Sequence, residues 1–243
     1  MTKDNEQQIK TLYHGSIAGI KGKPIIEYSD GIQDFEKEFS TKEIEDKQIV
    51  KYSDRFHDFG KGFYLAELEE QAINRVCKCD KPKIYKYDLI VNSSEIYEFK
   101  DITLWALYVA RCRKMYDFSK YSKLMKIFDE IDKYSVIVGY VADEKIAEVY
   151  KNFINGSISD LALQECLKSI RYGRQYVIKN QSYCGKYLYK ISEYDLSEAD
   201  KQKSQQWEQE VKQYIKNKFE TIKEQYRNNS NNRFFNEIIE EYK

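Results

Sequence analysis

At 243 residues and 42% apolar, the chain can build one cored domain with an appendage, or two small domains. Its 40 basic residues balance 40 acidic ones, which excludes the basic excess of a general nucleic-acid or membrane-surface binder but not a local basic patch. The aromatic share is carried by 22 Tyr and 12 Phe, so any core must also find partners for many hydroxyls.

Residues 1–9 read as a loose polar lead-in. Thr11-Leu12-Tyr13-His14 reads as a short strand ended by Gly15. A loop through Gly19, Gly22 and Pro24 follows, then an extended segment at 25–28. Residues 30–50 are charged and irregular, with Phe35, Phe39 and Ile44 as scattered anchors. Gly60 and Gly62 mark a turn with close backbone approach, opening onto a strand at 63–66. A helix over 69–77 follows, with Ala72, Ile73 and Val76 on one face. Strands are expected at 84–90 and 96–99. Asp101 can cap a helix through Leu104, Trp105, Tyr108, Val109 and Cys112, and a second helix covers 122–131. The β-branched run at 134–141 reads as a strand. Asp143 starts a helix through Ile146, Ala147 and Tyr150, and Ser159 opens another through Leu163 and Leu167. Late strands fall at 175–178 and 187–191.

From 198 to 243 the composition turns to Lys, Glu, Gln and Asn. Trp207, Val211, Tyr214, Ile215, Phe219, Ile222, Tyr226, Phe234, Phe235, Ile238 and Ile239 recur in threes and fours. That spacing predicts one or two helices with a single apolar face, broken at 228–232. The face either packs back on the core or serves as an arm for a protein partner or self-association. The organisation is thus a lead-in at 1–9, a domain at 10–196 and a helical extension at 197–243. No regular βαβ repeat and no Gly-x-Gly-x-x-Gly appears at a first strand, so the expected class is α+β rather than a doubly wound dinucleotide fold.

Five cysteines stand at 77, 79, 112, 166 and 184. Cys77-Lys78-Cys79 is too tight for a zinc hook, and only His14 and His57 could complete one. Free thiols, no metal and a reducing, cytoplasmic setting are expected. The start lacks an apolar signal core, and no stretch approaches the roughly 20 apolar residues that span a bilayer.

The residues with chemistry lie in two separated motifs, Leu12-Tyr13-His14-Gly15-Ser16 and Asp58-Phe59-Gly60-Lys61-Gly62-Phe63-Tyr64-Leu65-Ala66. A bare glycine backbone offers the donor and acceptor that a carboxamide needs in line. Tyr64 offers a broad ring for stacking. Each piece also has a plain reading: a structural histidine, a solvated Lys61, a turn with core aromatics. Gly60-Lys61-Gly62 lacks the Lys-Ser/Thr of a phosphate-binding loop.

Together the motifs resemble the His-Gly and Gly-x-Gly-x-Tyr-Phe-Ala elements of ADP-ribosyltransferases of the diphtheria-toxin and poly(ADP-ribose) polymerase class. With Ile137-Val138-Gly139-Tyr140-Val141-Ala142-Asp143, they more closely resemble a bacterial family labelled domain of unknown function 3990, over roughly residues 10–191. The resemblance implies an α+β fold with a split, mixed or antiparallel sheet. It implies NAD as substrate, with His14 on the ribose, Gly15 on the nicotinamide carboxamide and Tyr64 stacked on the nicotinamide. Ser16, Gly62, Phe63 and Ala72 complete the implied NAD-binding set. The class commonly places a glutamate on a late strand; Gln175 best matches that place here, with Gln181 as competitor. A neutral amide can orient ribose hydroxyls but supplies only a dipole to a developing positive charge. Glu67, Glu69 and Glu70 are candidates for the acceptor side, Lys61 for the pyrophosphate and His57 for orienting the loop. The implied activity is mono-ADP-ribosyl transfer to a protein, nucleic acid or small molecule, in the manner of a toxin or defence effector. The alternatives are an NAD or ADP-ribose binding module without turnover, and a protein that docks a partner through its C-terminal helices.

Overall fold

The computed structural model describes residues 7–17, 19–20, 57–142, 146–169 and 173–243. The extended segment at 25–28, the anchors Phe35, Phe39 and Ile44, and Asp143 lie outside the described residues. Seven strands among the described residues form one sheet in the order β4-β5-β6-β2-β1-β3-β7. They are β1 (Gln7–Ser16), β2 (Phe63–Ala66), β3 (Lys83–Asn92), β4 (Ile96–Glu98), β5 (Val136–Gly139), β6 (Gln175–Ile178) and β7 (Leu188–Asp195). Only β4 and β5 run parallel; the other neighbours are antiparallel. The architecture is α+β, a mixed and mostly antiparallel sheet flanked by helices.

The sheet has a seam. β1 and β3 pair over ten residues, and β2 pairs with β6 over all four of its residues. β1 and β2 register at one pair alone, Tyr13 opposite Ala66. Both strands have three further residues on the Ser16–Phe63 side of that pair, and there the ladder stops.

Alternation along the strands sends side chains to two faces. Leu12, Phe63, Leu65, Tyr85, Tyr87 and Tyr176 build a core on one face. Helix α6 (Gln181–Tyr187) covers it with Tyr183 and Cys184. On the other face lies the larger core, which includes Tyr64, Ile137 and Val177. Helices α2 (Ile102–Cys112), α3 (Ser122–Ile131), α4 (Ala147–Ile154) and α5 (Asp160–Ser169) pack there. Helix α1 (Glu69–Val76) lies beside them over β1, with Ala72 and Val76 against Tyr13 and Ala66.

The expected caps are present. The Asp101 carboxylate accepts from the N–H groups of Thr103 and Leu104 at 2.8 and 3.2 Å. Ser159 Oγ accepts from Ala162 N–H at 3.2 Å. Four elements differ from the sequence reading, among them β5, which is confined to Val136–Gly139 of the expected 134–141. β1 begins at Gln7 inside the expected lead-in, because Gln7, Gln8 and Ile9 pair with Asn92, Val91 and Ile90; main-chain pairing needs no apolar alternation. β7 runs on to Asp195 because β3 offers it partners down to Lys83. α6 has too few apolar residues to show a period, and Asn180 starts it by accepting from Ser182 N–H at 2.9 Å.

The C-terminal region forms α7 (Glu198–Tyr226) and α8 (Phe235–Glu240), with the break where the Asn-rich run predicts it. Ile215, Phe219 and Ile222 on α7 and Phe235, Ile238 and Ile239 on α8 are buried in the larger core. Most of the apolar stripe is therefore spent on this chain's own core, while Tyr214 stays exposed.

Candidate functional site

The two motifs meet at the seam. His14 Nδ1 lies 2.8 Å from the Tyr64 carbonyl oxygen. A carbonyl only accepts, so Nδ1 carries the proton, and in the neutral ring Nε2 is the acceptor. The imidazole stacks on Phe63, with ring centroids 4.5 Å apart. Phe63 belongs to the core with Leu12 and Leu65, whereas Tyr64 belongs to the opposite one with Phe59 and Val177. The His14 and Tyr64 rings thus lie on opposite faces of the sheet. The histidine meets the tyrosine through main chain, in place of two rings facing one another across a slot.

Tyr64 also fastens the glycine turn. Its hydroxyl donates to the Gly60 carbonyl at 2.7 Å and accepts from Phe59 N–H at 3.0 Å. Gly60 has φ +69°, in the left-handed region that favours glycine. The ring of His57 lies 5.5 Å from that of Tyr64, and Lys61 is exposed. Gly15 sits under α1: a Cβ built there would come within 2.3 Å of the Ala72 carbonyl oxygen. Ser16 is buried, and its Oγ accepts from Gly19 N–H at 3.0 Å. The eight residues expected at the site, His14, Gly15, Ser16, Gly62, Phe63, Tyr64, Ala72 and Gln175, are all buried.

Gln175 opens β6 opposite Ala66 and Gly139. Its Nε2 donates to Asp58 Oδ2 and to the Tyr140 carbonyl, both at 2.7 Å. Asp58 also accepts from Ala142 N–H at 2.9 Å and from Arg113 Nε at 2.8 Å. Arg113 Nη2 bonds both Asp58 Oδ1 and the Ala142 carbonyl. One carboxylate thus ties together the glycine turn, the end of α2, the segment after β5 and the start of β6. Gln181 is exposed at the start of α6, beyond the far end of β6. Glu67 Oε2 accepts from Arg174 N–H at 2.8 Å, beside Gln175, while Glu69 accepts from the Tyr194 hydroxyl at 3.0 Å.

Sequence reasoning named Asp58 only as the first residue of a motif and gave Arg113 no role. The readable signal was Arg113 itself, a cation just past a helix whose residues from Ile102 to Ala110 are almost all buried. Such a charge needs an anion, but its partner lies 55 residues away in sequence. Lys179 was missed as well. Its Nζ donates to the Phe59 carbonyl on the same turn, and burial pulls its pKa below the ordinary lysine value.

Among the described residues no group of three or more His, Cys, Asp or Glu side chains could hold a metal ion. No helix among them is long and apolar enough to cross a membrane. A family model described as "Protein of unknown function (DUF3990)" matches residues 40–190. No curated protein and no solved structure gives a significant match.

Proposed function

The chain belongs to the DUF3990 family, and from that premise we propose that it binds NAD at the β1–β2 seam and transfers ADP-ribose to a nucleophilic acceptor. The carrying observation is the seam itself. Two motifs separated by some fifty residues are joined by His14 Nδ1 on the Tyr64 carbonyl where the strand ladder has stopped. Main chain outside a ladder is available to read an amide. In this reading the ligand passes through the seam: Gly15 holds the nicotinamide carboxamide, Tyr64 supplies an aromatic face on one side of the sheet, and His14 Nε2 meets a ligand hydroxyl on the other. Ser16, Gly62, Phe63 and Ala72 would complete the ligand's surroundings on the two faces, with Gln175 meeting a ribose on the Tyr64 face. The bond between the nicotinamide nitrogen and ribose C1 breaks, and its electron pair leaves with nicotinamide. The acceptor's lone pair forms the new bond to C1, and its proton passes to solvent.

A second reading, NAD or ADP-ribose binding without turnover, is favoured by one observation. Position 175 carries a neutral amide whose two hydrogens are already committed, and oxocarbenium character is stabilised best by a carboxylate. The full chain incubated with NAD separates the two. Nicotinamide in solution, with an ADP-ribose adduct on the chain or on an added acceptor by intact mass, supports transfer. An NAD-dependent rise in Tm without nicotinamide supports binding alone. If Tm is indifferent to NAD and no nicotinamide appears, the site is not an NAD site. His14→Ala and Tyr64→Ala should each reduce the NAD response.

A further inference from the structure

The residue at position 175 differs from a carboxylate in a way its surroundings dictate. Its Nε2 faces Asp58 Oδ2 and the Tyr140 carbonyl. Neither partner donates a hydrogen, one being a carboxylate and the other a carbonyl. Only an –NH2 can satisfy both at once, so the orientation of the amide is fixed by chemistry. Asp58 is held in turn by Arg113 and by the N–H of Ala142. Among the described residues nothing donates to Gln175 Oε1.

We propose that Asp58 is a positioning residue that, with the Tyr140 carbonyl, locks Gln175 as a hydrogen-bond acceptor, so that Oε1 is the one group it offers to a hydroxyl-bearing ligand. The proposal rests on the NAD reading only for the ligand's identity, a ribose; the lock stands on contacts within the chain. The glutamine is then no weakened glutamate. A glutamate at 175 would set a second carboxylate against Asp58 and against a carbonyl oxygen, and like charges in such contact resist ionisation together. The lock presents a partly negative oxygen to the ligand while keeping the buried cluster neutral, Asp58 against Arg113.

The charged groups around position 175 are Asp58 on the turn, Arg113 at the end of α2, and Glu67 and Arg174 at the ends of β2 and β6. Arg174 is turned aside: its guanidinium lies 4.1 Å from the Tyr140 ring centroid and its Nη2 lies 3.9 Å from Glu98. Glu67 is engaged by Arg174 N–H. Asp58 is therefore the acid in direct contact, and the test is built on it.

The test is a Tm profile of the full chain from about pH 5 to about pH 8. Gln175→Glu should fall below wild type by a margin that widens by roughly 3 °C or more as pH rises and the introduced carboxyl ionises against the Asp58 carboxylate. Adding Asp58→Asn, which removes one acid and supplies a donor, should flatten that widening. A margin independent of pH, or one the second substitution leaves unchanged, overturns the lock. Should Gln175→Glu fail to fold at every pH, the wild-type chain decides by NMR. Both Gln175 side-chain hydrogens should be protected from exchange, and a freely exchanging pair overturns the proposal. NAD is the separate arm. Where it raises the wild-type Tm, Gln175→Glu should lose that rise at about pH 8; an equal rise in both overturns the positioning role. If NAD leaves wild-type Tm unmoved while the pH profile behaves as stated, the NAD reading fails and the lock stands.

Discussion

Gly15 shows how tightly the seam is built. A methyl group there would meet the Ala72 carbonyl oxygen at 2.3 Å and both Val76 methyl groups at 3.0–3.1 Å. The first of these is backbone and cannot swing aside. Gly15→Ala should therefore push α1 off β1 and cost about 1–3 kcal/mol, as overpacking does, read as a lower urea midpoint with unchanged m. Asp58→Ala works through charge. It leaves Arg113 beside the Ala142 carbonyl without its carboxylate, and Gln175 short of one acceptor. Since the Arg113 side chain keeps 24% exposure, the expected loss is about 2–3 kcal/mol, below that of a fully buried pair. Denaturant titration of Asp58→Ala beside Arg113→Ala and the double variant measures the coupling; additive losses would show that the pair does not act as a unit. His14 and Tyr64 were legible in sequence because glycines and aromatics at short spacing mark them. Asp58 and Arg113 were not, because an ion pair is decided by where two distant segments land, which no local pattern carries.

At the scale of elements, legibility follows the strength of the local signal. α3 has a clear apolar period, α2 is an apolar run buried almost all round, and β2 and β6 are short apolar runs bounded by turn residues. α6 has neither feature, and β1 gains Gln7, Gln8 and Ile9 at its start from pairing alone. The C-terminal pair was legible as amphipathic helices, but what the apolar face touches was not, since a stripe looks the same whether it packs at home or abroad. Here Phe235 meets the rings of Tyr116 and Phe153 at 5.0 and 5.8 Å, and the Asp160 carboxylate receives Arg233 Nε at 3.0 Å. α8 is therefore a plug in the core. Cutting the chain after residue 226 should expose Tyr116, Phe118 and Phe153, raise dye binding to apolar surface and lower Tm. Phe235→Ala alone should cost about 3–5 kcal/mol. A truncated chain with wild-type Tm would make the extension an appendage after all.

At the scale of the whole molecule, the interior is held by tyrosine. Tyr64, Tyr150 and Tyr183 donate to the carbonyls of Gly60, Ala106 and Ile90, Tyr108 donates to Asp132, and Tyr85 accepts from Ile20 N–H. Each hydroxyl ties its own element to another part of the chain, and the four that donate can do so only while they keep their proton. Burial pushes the Tyr176 hydroxyl up to about 12 and raises those of Tyr108 and Tyr150 above the ordinary 10.0. It also raises the thiols of Cys112 to about 11 and Cys166 to about 12, from 9.0. The sign follows. Above the unfolded values the unfolded chain releases protons that the folded chain keeps, so stability is complete below about pH 9 and drains away as pH climbs towards the folded values. A titration from neutral to strongly alkaline pH should show the buried tyrosinates appearing together with loss of the near-UV circular dichroism, in one cooperative step. Gradual tyrosinate formation centred near the ordinary value, with near-UV dichroism retained, would mean that these hydroxyls are not what closes the interior.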